Sequence, residues 1–461
     1  MVQRFQPETV LSIGIVGLVA SLTAGCFSER SFRLEPADTV RMTREPLPTR
    51  STRDWLTAAH HQLADLLPRT DAAPLLTEQM VTADGTAIDV FAHFGIRRKS
   101  LRTIFGNLDG IRCTAQAAGS GYHIEEPAPP WPGFEDRWIP VRDDLSLSGR
   151  LGLARQADGG TRQADCIVIL PGLFGDNGIK RTRDLAIALR EAGFHVLALE
   201  PRGHGQTERR FPNHAFTFGV FESDELLVVS DWLEALPPVR RTGLVGFCWT
   251  ANIVLLTAWF DGGAAADPII TDALRPLLAA PSVNRRYKAG IIAFSPVVRW
   301  ETLVEDLEQP RSHLGDPVYA ALQDIVISRK RRKNRPETSG SLRRLIEQEY
   351  ERTGFDFPGG TRDGYQALRW LEHRGKPAGD KLESVRTPVL IVHGANDPLA
   401  PAQDVADLIA TIDNPRVAAT ILPGGGHVGF AAYAREYYFS LIVSFFDAAT
   451  GAAAPARRTV R

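Results

Sequence analysis

The chain has 461 residues, 44% of them hydrophobic and 23% charged, an ordinary globular composition with enough apolar material for one large or two medium domains. Its 53 Lys and Arg stand against 54 Asp and Glu, leaving a formal charge of -1. No global field therefore selects nucleic acid or any other polyanion, and no nucleic-acid partner is expected.

The N-terminus reads as a targeting segment. Arg4 precedes an uncharged apolar run, Val10 to Gly25, which Leu22-Thr23-Ala24-Gly25-Cys26 closes. Small residues directly before a cysteine resemble a bacterial lipobox, where the signal is cut before the cysteine and its thiol is lipidated. The run, roughly 16 residues, is short for crossing about 30 Å of hydrocarbon. The expectation is a signal peptide over residues 1–25 and a lipidated Cys26, which would place the protein in the bacterial cell envelope on a membrane anchor. An uncleaved anchor is the alternative. If Cys26 carries lipid, Cys113, Cys166 and Cys248 remain, and Cys113 with Cys166 is the candidate disulfide that would leave Cys248 free.

Residues 26–133 read as a tether and N-terminal extension. Phe27 to Arg50 is polar with scattered prolines. Asp54 to Leu67 has helical spacing, with Thr52 or Ser51 as cap. His60 and His61 are adjacent and share no helix face, so they read as packing or surface residues and not as a metal pair. Thr82 to Gly121 carries no pattern that assigns it, and Pro127 to Pro132 (PAPPWP) is a stiff connector.

From residue 134 a strand and helix rhythm begins. Trp138 to Ala154 alternates about a turn at Asp143-Asp144, as a hairpin does. Strands are expected at Cys166–Leu170, His195–Leu199, Leu244–Gly246, Ala289–Phe294, Pro388–Val392 and Val417–Leu422. Helices are expected at Thr182–Ala192, Glu222–Leu236, Ile253–Phe260, Ala402–Ile409 and Ala431–Phe446. Continuous apolar strands separated by amphipathic helices imply an α/β fold, a mostly parallel doubly wound sheet covered on both faces, with the N-terminal hairpin adding antiparallel strands. Residues 300–380 interrupt the rhythm with charged, helical sequence and read as a helical cap between two parts of the core, 134–299 and 381–450; residues 451–461 read as a disordered tail. Within the cap, Ser328 to Arg335 (SRKRRKNR) reads as a solvated helix face, with contact to anionic lipid headgroups as the alternative.

Four motifs carry chemistry. Thr242 to Asn252 (TGLVGFCWTAN) reads as a strand, a sharp turn and a helix, placing Cys248 where a nucleophile elbow G-x-S-x-G has its serine. Leu170 to Asp176 (LPGLFGD) follows a strand, and its turn can aim the Leu173 N–H at a developing oxyanion, with the Trp249 N–H as second donor. His393 to Pro398 (HGANDP) puts Asp397 in a loop, and Gly424 to Phe430 (GGGHVGF) gives His427 freedom to approach the nucleophile. Singly, Cys248 reads as a small buried hydrophobe, Asp397 as a turn residue and His427 as a loop residue. Together, in the order nucleophile, acid, histidine, they read as an active site.

At these residues the chain resembles the α/β-hydrolase superfamily, most closely the YheT-like esterases, over Phe134 to Asp447. The likeness includes PGLFGD, Glu200 to Glu208 (EPRGHGQTE), the stretch ESDELLVVSDWLE before the elbow, and above all GGHVGF. Where that family has G-x-S-L-G-G-N this chain has Gly246-Phe247-Cys248-Trp249-Thr250-Ala251-Asn252. The resemblance implies Cys248 as nucleophile, His427 as its base and Asp397 as the residue orienting that base, with His204 and His393 structural. It implies hydrolysis of a carboxylic ester or thioester on a small-molecule or lipid-like acyl substrate. Cysteine at this position also occurs in dienelactone hydrolases and polyhydroxyalkanoate synthases, which the elbow resembles, so acyl transfer by the same triad is an alternative. A catalytically silent binding lipoprotein is another. No metal or organic cofactor is expected. Thr250, β-branched where the elbow prefers glycine or alanine, predicts loosened packing of the following helix.

Overall fold

The computed structural model describes residues 51–68, 109–117, 129–262, 286–299, 327–328, 330–331, 340–352 and 379–450. The residues read above as signal segment, tether and tail, Cys26 among them, and most of those read as a cap lie outside the described residues.

Eight strands form one sheet in the order β1-β2-β4-β3-β5-β6-β7-β8. They are β1 (Glu135–Arg142), β2 (Leu145–Gly152), β3 (Ala164–Ile169), β4 (His195–Glu200), β5 (Val239–Phe247), β6 (Ile291–Phe294), β7 (Val389–Gly394) and β8 (Val417–Leu422). β2 runs antiparallel to both β1 and β4, and every pairing from β4 to β8 is parallel. Strands β3, β4, β6 and β7 are buried along their whole length, which is why their sequences are predominantly apolar, with Asp165, His195, Glu200 and His393 toward the ends. β1 is an edge, and its outer half is exposed.

The helices are α1 (Thr52–Leu63), α2 (residues 109–117), α3 (Lys180–Glu191), α4 (Gly205–Arg210), α5 (Val220–Glu234), α6 (Trp249–Gly262), α7 (Leu342–Arg352), α8 (Gly379–Glu383), α9 (Ala402–Ala410), α10 (Phe430–Tyr433) and α11 (Arg435–Thr450). On one sheet face Leu226 and Leu233 of α5 and Ile253 and Leu256 of α6 pack on Cys166, Val168 and Leu244. On the other, Leu56 of α1, Leu189 of α3 and Ile442 of α11 pack on Ile167, Ile169 and Val245.

Most strand and helix positions follow the periodicity. Of the two candidate caps for α1, Ser51 takes the role, accepting the Asp54 N–H at 3.2 Å. That helix stops at Leu63 and tightens to a 3-10 turn over Ala64–Leu66, and Arg53 ties it to the end of the core through the carbonyls of Ile412 (2.6 Å) and Val417 (3.2 Å). The single C-terminal helix expected from Ala431 is broken at Ala434, which is extended at φ -147. Helices α2 and α4 carry too little apolar periodicity to be read from sequence. The expected Cys113–Cys166 bridge is absent, as both thiols are free and buried. Cys166 sits among the side chains of the α5 and α6 face, whereas Cys113 belongs to α2, whose Ala117 packs in the opposite face's core, so the sheet separates them.

Candidate active site

The elbow is a strained turn held from three sides. β5 ends at Phe247, α6 starts at Trp249, and Cys248 between them has φ +58, a region costly for a non-glycine residue. Its N–H bonds to the Phe294 carbonyl of the neighbouring strand at 2.9 Å, and its carbonyl accepts the Ala251 N–H at 3.0 Å. Gly246 is obligatory, since a Cβ there would lie 2.3 Å from the Thr250 carbonyl oxygen. Asn252 braces the helix start by bonding both ways to Val297, its amide to the carbonyl at 2.5 Å and its oxygen from the N–H at 2.8 Å.

Thr250 does not loosen this junction. Its Oγ1 accepts the Phe247 N–H at 2.9 Å and donates to the Pro171 carbonyl at 2.7 Å, in preference to that of Phe247 at 3.0 Å. The hydroxyl thus joins the elbow to the loop after β3, and the residue is fully buried.

Asp397, in the loop after β7, is fixed by the N–H groups of Leu399 (2.8 Å) and Ala400 (2.9 Å) on Oδ1. Its Oδ2 accepts from His427 Nδ1 at 2.8 Å. His393 sits beside this carboxylate, Nε2 3.4 Å from Oδ2, while the same nitrogen donates to the Ala400 carbonyl at 2.9 Å. Burial holds His393 below its ordinary pKa and so neutral. It packs and orients the acid, in keeping with a structural role.

The opposite nitrogen of His427, Nε2, is buried and makes no hydrogen bond of good geometry among the described residues. What it meets electrostatically is Cys248. Burial opposes a charge on His427, but the carboxylate of Asp397 and the sulfur of Cys248 outweigh it and push the imidazole up to about 10. Burial likewise opposes a thiolate, yet the charge on His427, with help from the Trp249 N–H, holds Cys248 below the ordinary thiol value. Asp397 is held low mainly by His427 against the cost of burial. Each of these shifts favours charge on its group: negative on Cys248 and Asp397, positive on His427 between them. Cys248 is partly exposed and open to a reagent, whereas Cys113 and Cys166 are buried, with burial raising Cys113 to about 11.

The loop after β3 runs beside the nucleophile: a Cβ on Gly172 would stand 3.7 Å from that of Cys248. The Leu173 N–H has no hydrogen-bond partner among the described residues. The next residue, Phe174, has φ +52 and donates its N–H to His204 Nε2 at 3.0 Å, while His204 Nδ1 donates to the Arg202 carbonyl at 2.9 Å. Glu200 accepts the N–H groups of Asn177 (2.8 Å) and Gln206 (2.7 Å). The EPRGHGQTE stretch is therefore the cradle of this loop, and Glu225, from the ESDELL stretch, holds Arg202 in a buried ion pair.

One expectation is corrected at a single residue here, while Arg331 beside it is exposed as expected. Lys330, inside the basic run, is not on a solvated face but only 1% exposed. Its Nζ lies 2.7 Å from Glu208, 3.3 Å from Glu349 and 3.2 Å from the Gly203 carbonyl, and 4.5 Å from the centre of the Phe174 ring. Lys330 and α7 thus dock on the stretch after β4, with Arg352 Nη1 3.8 Å from Glu208 and its Nη2 donating to the Pro212 carbonyl at 2.6 Å. Sequence also gave no sign of Ser295, φ +49, whose Oγ accepts the Val428 N–H at 3.3 Å, or of Thr114, which bonds the His427 backbone. Among the described residues no group of three or more His, Cys, Asp or Glu is placed to hold a metal ion.

Cys248, Asp397 and His427 all fall within residues 167–438, which match the profile of the alpha/beta hydrolase family. The chain belongs to this family. A curated relative, the serine hydrolase BPHL of Mus musculus, is 26% identical over 278 residues, spanning 59% of this chain and 76% of its own. Among solved structures, the Pyrococcus furiosus esterase Pf2001 aligns at 16% identity and TM-score 0.43, over 70% of this chain and 97% of its own. The serine hydrolase CCSP0084 of Cycloclasticus zankles aligns at 16% identity and TM-score 0.43, over 68% and 98%.

Proposed function

We propose that this α/β-hydrolase-family protein cleaves a carboxylic ester or thioester through a Cys248, His427, Asp397 triad and a thioester acyl-enzyme. The observation that carries the reading is the mutual charge coupling of Cys248 and His427, with Asp397 bonded to the far side of the same ring at 2.8 Å. The thiolate attacks the acyl carbonyl carbon, and the N–H groups of Leu173 and Trp249 receive the oxyanion. The intermediate collapses, the His427 proton goes to the leaving alkoxide or thiolate, and Cys248 is left acylated. Neutral His427 then takes a proton from water, whose oxygen attacks the thioester, and the acid product departs as the thiolate is restored.

The cysteine itself favours a second reading, since a thioester passes its acyl group readily to an alcohol or amine, making acyl transfer the competing outcome. Within the family, GGHVGF and EPRGHGQTE support a YheT-like subtype. The lipobox-like LTAGC at Leu22 to Cys26 supports a lipid-anchored protein of the bacterial cell envelope, with residues 300–380 as a cap that selects a small-molecule or lipid-like acyl group.

The test is intact-protein mass spectrometry after brief exposure to p-nitrophenyl acetate, comparing wild type, His427→Ala and Cys248→Ala. Rapid acylation that maps to Cys248 and needs His427 is expected, with turnover abolished and the fold intact in Cys248→Ala. Slow labelling indifferent to His427 would make Cys248 an ordinary thiol and leave a binding protein on a hydrolase fold. Adding an alcohol separates the outcomes further: ester product in place of acid means transfer.

A further inference from the structure

We propose that helix α2 is a built-in clamp on the His427 and Asp397 loops, and that Thr114 is a positioning residue for His427. The inference rests on the reading of His427 as the partner of Cys248.

His427 lies between two left-handed residues, Gly426 at φ +53 and Val428 at φ +59. Such a backbone persists only where its surroundings over-determine it. The Val428 N–H goes to Ser295, as described. The His427 N–H goes to Thr114 Oγ1 at 2.8 Å, and that hydroxyl donates its own proton to the Gly110 carbonyl at 2.7 Å. The i-4 bond fixes the rotor, so a lone pair faces the histidine. Thr114 is 2% exposed, and water cannot readily replace it.

The helix reaches both loops through bare backbone. A Cβ on Gly426 would lie 2.1 Å from the Gly110 carbonyl oxygen, one on Gly429 2.3 Å from that of Cys113, and one on Gly110 2.0 Å from that of Asn396. Asn396 precedes Asp397 and accepts the Gly426 N–H on its side chain at 2.9 Å. Three glycines therefore allow α2 to touch the acid loop and both flanks of the histidine at once. Residues 109–117 lie outside the stretch that matches the family, 167–438. This support belongs to the chain's own N-terminal extension.

The readout is the alkylation rate of Cys248 by iodoacetamide, followed against pH on the full chain, which reports the ion pair whatever the natural substrate is. Thr114→Val keeps the shape and loses the hydroxyl; Thr114→Ser keeps the hydroxyl. We expect Thr114→Val to slow alkylation near neutral pH by roughly three- to tenfold, the equivalent of one net hydrogen bond, and to move the midpoint of the profile upward, while Thr114→Ser retains the wild-type midpoint. Thr114→Ala replaces the valine variant if that does not fold. A hydroxyl-free variant that loses stability but keeps the wild-type profile would make α2 a mere packing element and overturn the proposal, as would a serine variant that shifts like valine. Wild-type alkylation that ignores His427→Ala would instead overturn the triad itself, so the two failures are told apart.

Discussion

Replacing Thr250 with glycine restores the small residue usual two positions after the nucleophile in this elbow, yet we expect it to weaken the protein. The hydroxyl holds the Phe247 N–H at 2.9 Å and the Pro171 carbonyl at 2.7 Å in a fully buried position. Leaving a buried partner unsatisfied costs about 1–3 kcal/mol. The lost side-chain volume and the weaker helix propensity of glycine each add about 1 kcal/mol or less. The total is about 1–5 kcal/mol. Thr250→Val, which keeps the volume, isolates the hydrogen bonds at about 1–3 kcal/mol. Equilibrium urea unfolding measures both, and acylation of Cys248 by p-nitrophenyl acetate should slow in parallel, because Pro171 begins the loop that carries Leu173. A glycine variant as stable as wild type, or a valine variant with no loss, would refute the assignment of Thr250 as a tie between elbow and loop.

Other measurements follow from the same geometry. His427 is raised, to about 10, so its contribution is full below its unfolded value, about 6.5, and is lost as pH rises through the folded one. Cys248 is lowered, so its contribution is full above about 8.5, the ordinary thiol value, and is lost as pH falls. The two slopes oppose each other between about 6.5 and about 8.5. The stability removed by the double substitution Cys248→Ala, His427→Ala should therefore fall as pH rises above about 8.5, where only the His427 contribution still changes, and denaturation of both proteins from about pH 5 to 10 reads it; a difference independent of pH would mean no ion pair. Lys330→Met leaves Glu208 and Glu349 without the ammonium that lies 2.7 and 3.3 Å away, a loss of about 3–5 kcal/mol for a buried pair broken on one side. Adding Glu208→Gln and Glu349→Gln should recover part of it in the same unfolding assay, and simple additivity would show that the three do not interact.

The positions of Cys248, Asp397 and His427 were legible because each follows a largely buried, mostly apolar strand, and because the glycines around Cys248 and His427 advertise tight backbone. Thr250 misled because the elbow rule concerns volume, whereas here a hydroxyl finds two backbone partners, one of them 79 residues back at Pro171. Lys330 misled because its compensating charges come from Glu208, on α4, and Glu349, on α7, and a basic run says nothing of distant carboxylates. Helix α2 was silent because it docks chiefly through Gly110, Thr114 and carbonyl oxygens, with only the small Cys113 and Ala117 buried as apolar contacts, so it leaves little helical period.

A cysteine changes where the difficulty in such a reaction lies. On the proposed triad, the proton of the resting site sits on His427, whose pKa the negative groups Asp397 and Cys248 raise, and attack then needs no deprotonation. Acylation removes one of those two charges. The imidazole then loses the proton more easily, which suits its delivery to the leaving group and leaves a neutral base for water. Deacylation, unlike attack, depends wholly on His427 standing where it can take a proton from an incoming acceptor. It is therefore the step most sensitive to the backbone that carries the ring, and the one for which a clamp made of Thr114 and Ser295 on either side of the His427 peptide matters most. Whichever acceptor fits against that ring, water or a bulkier alcohol, decides between hydrolysis and transfer.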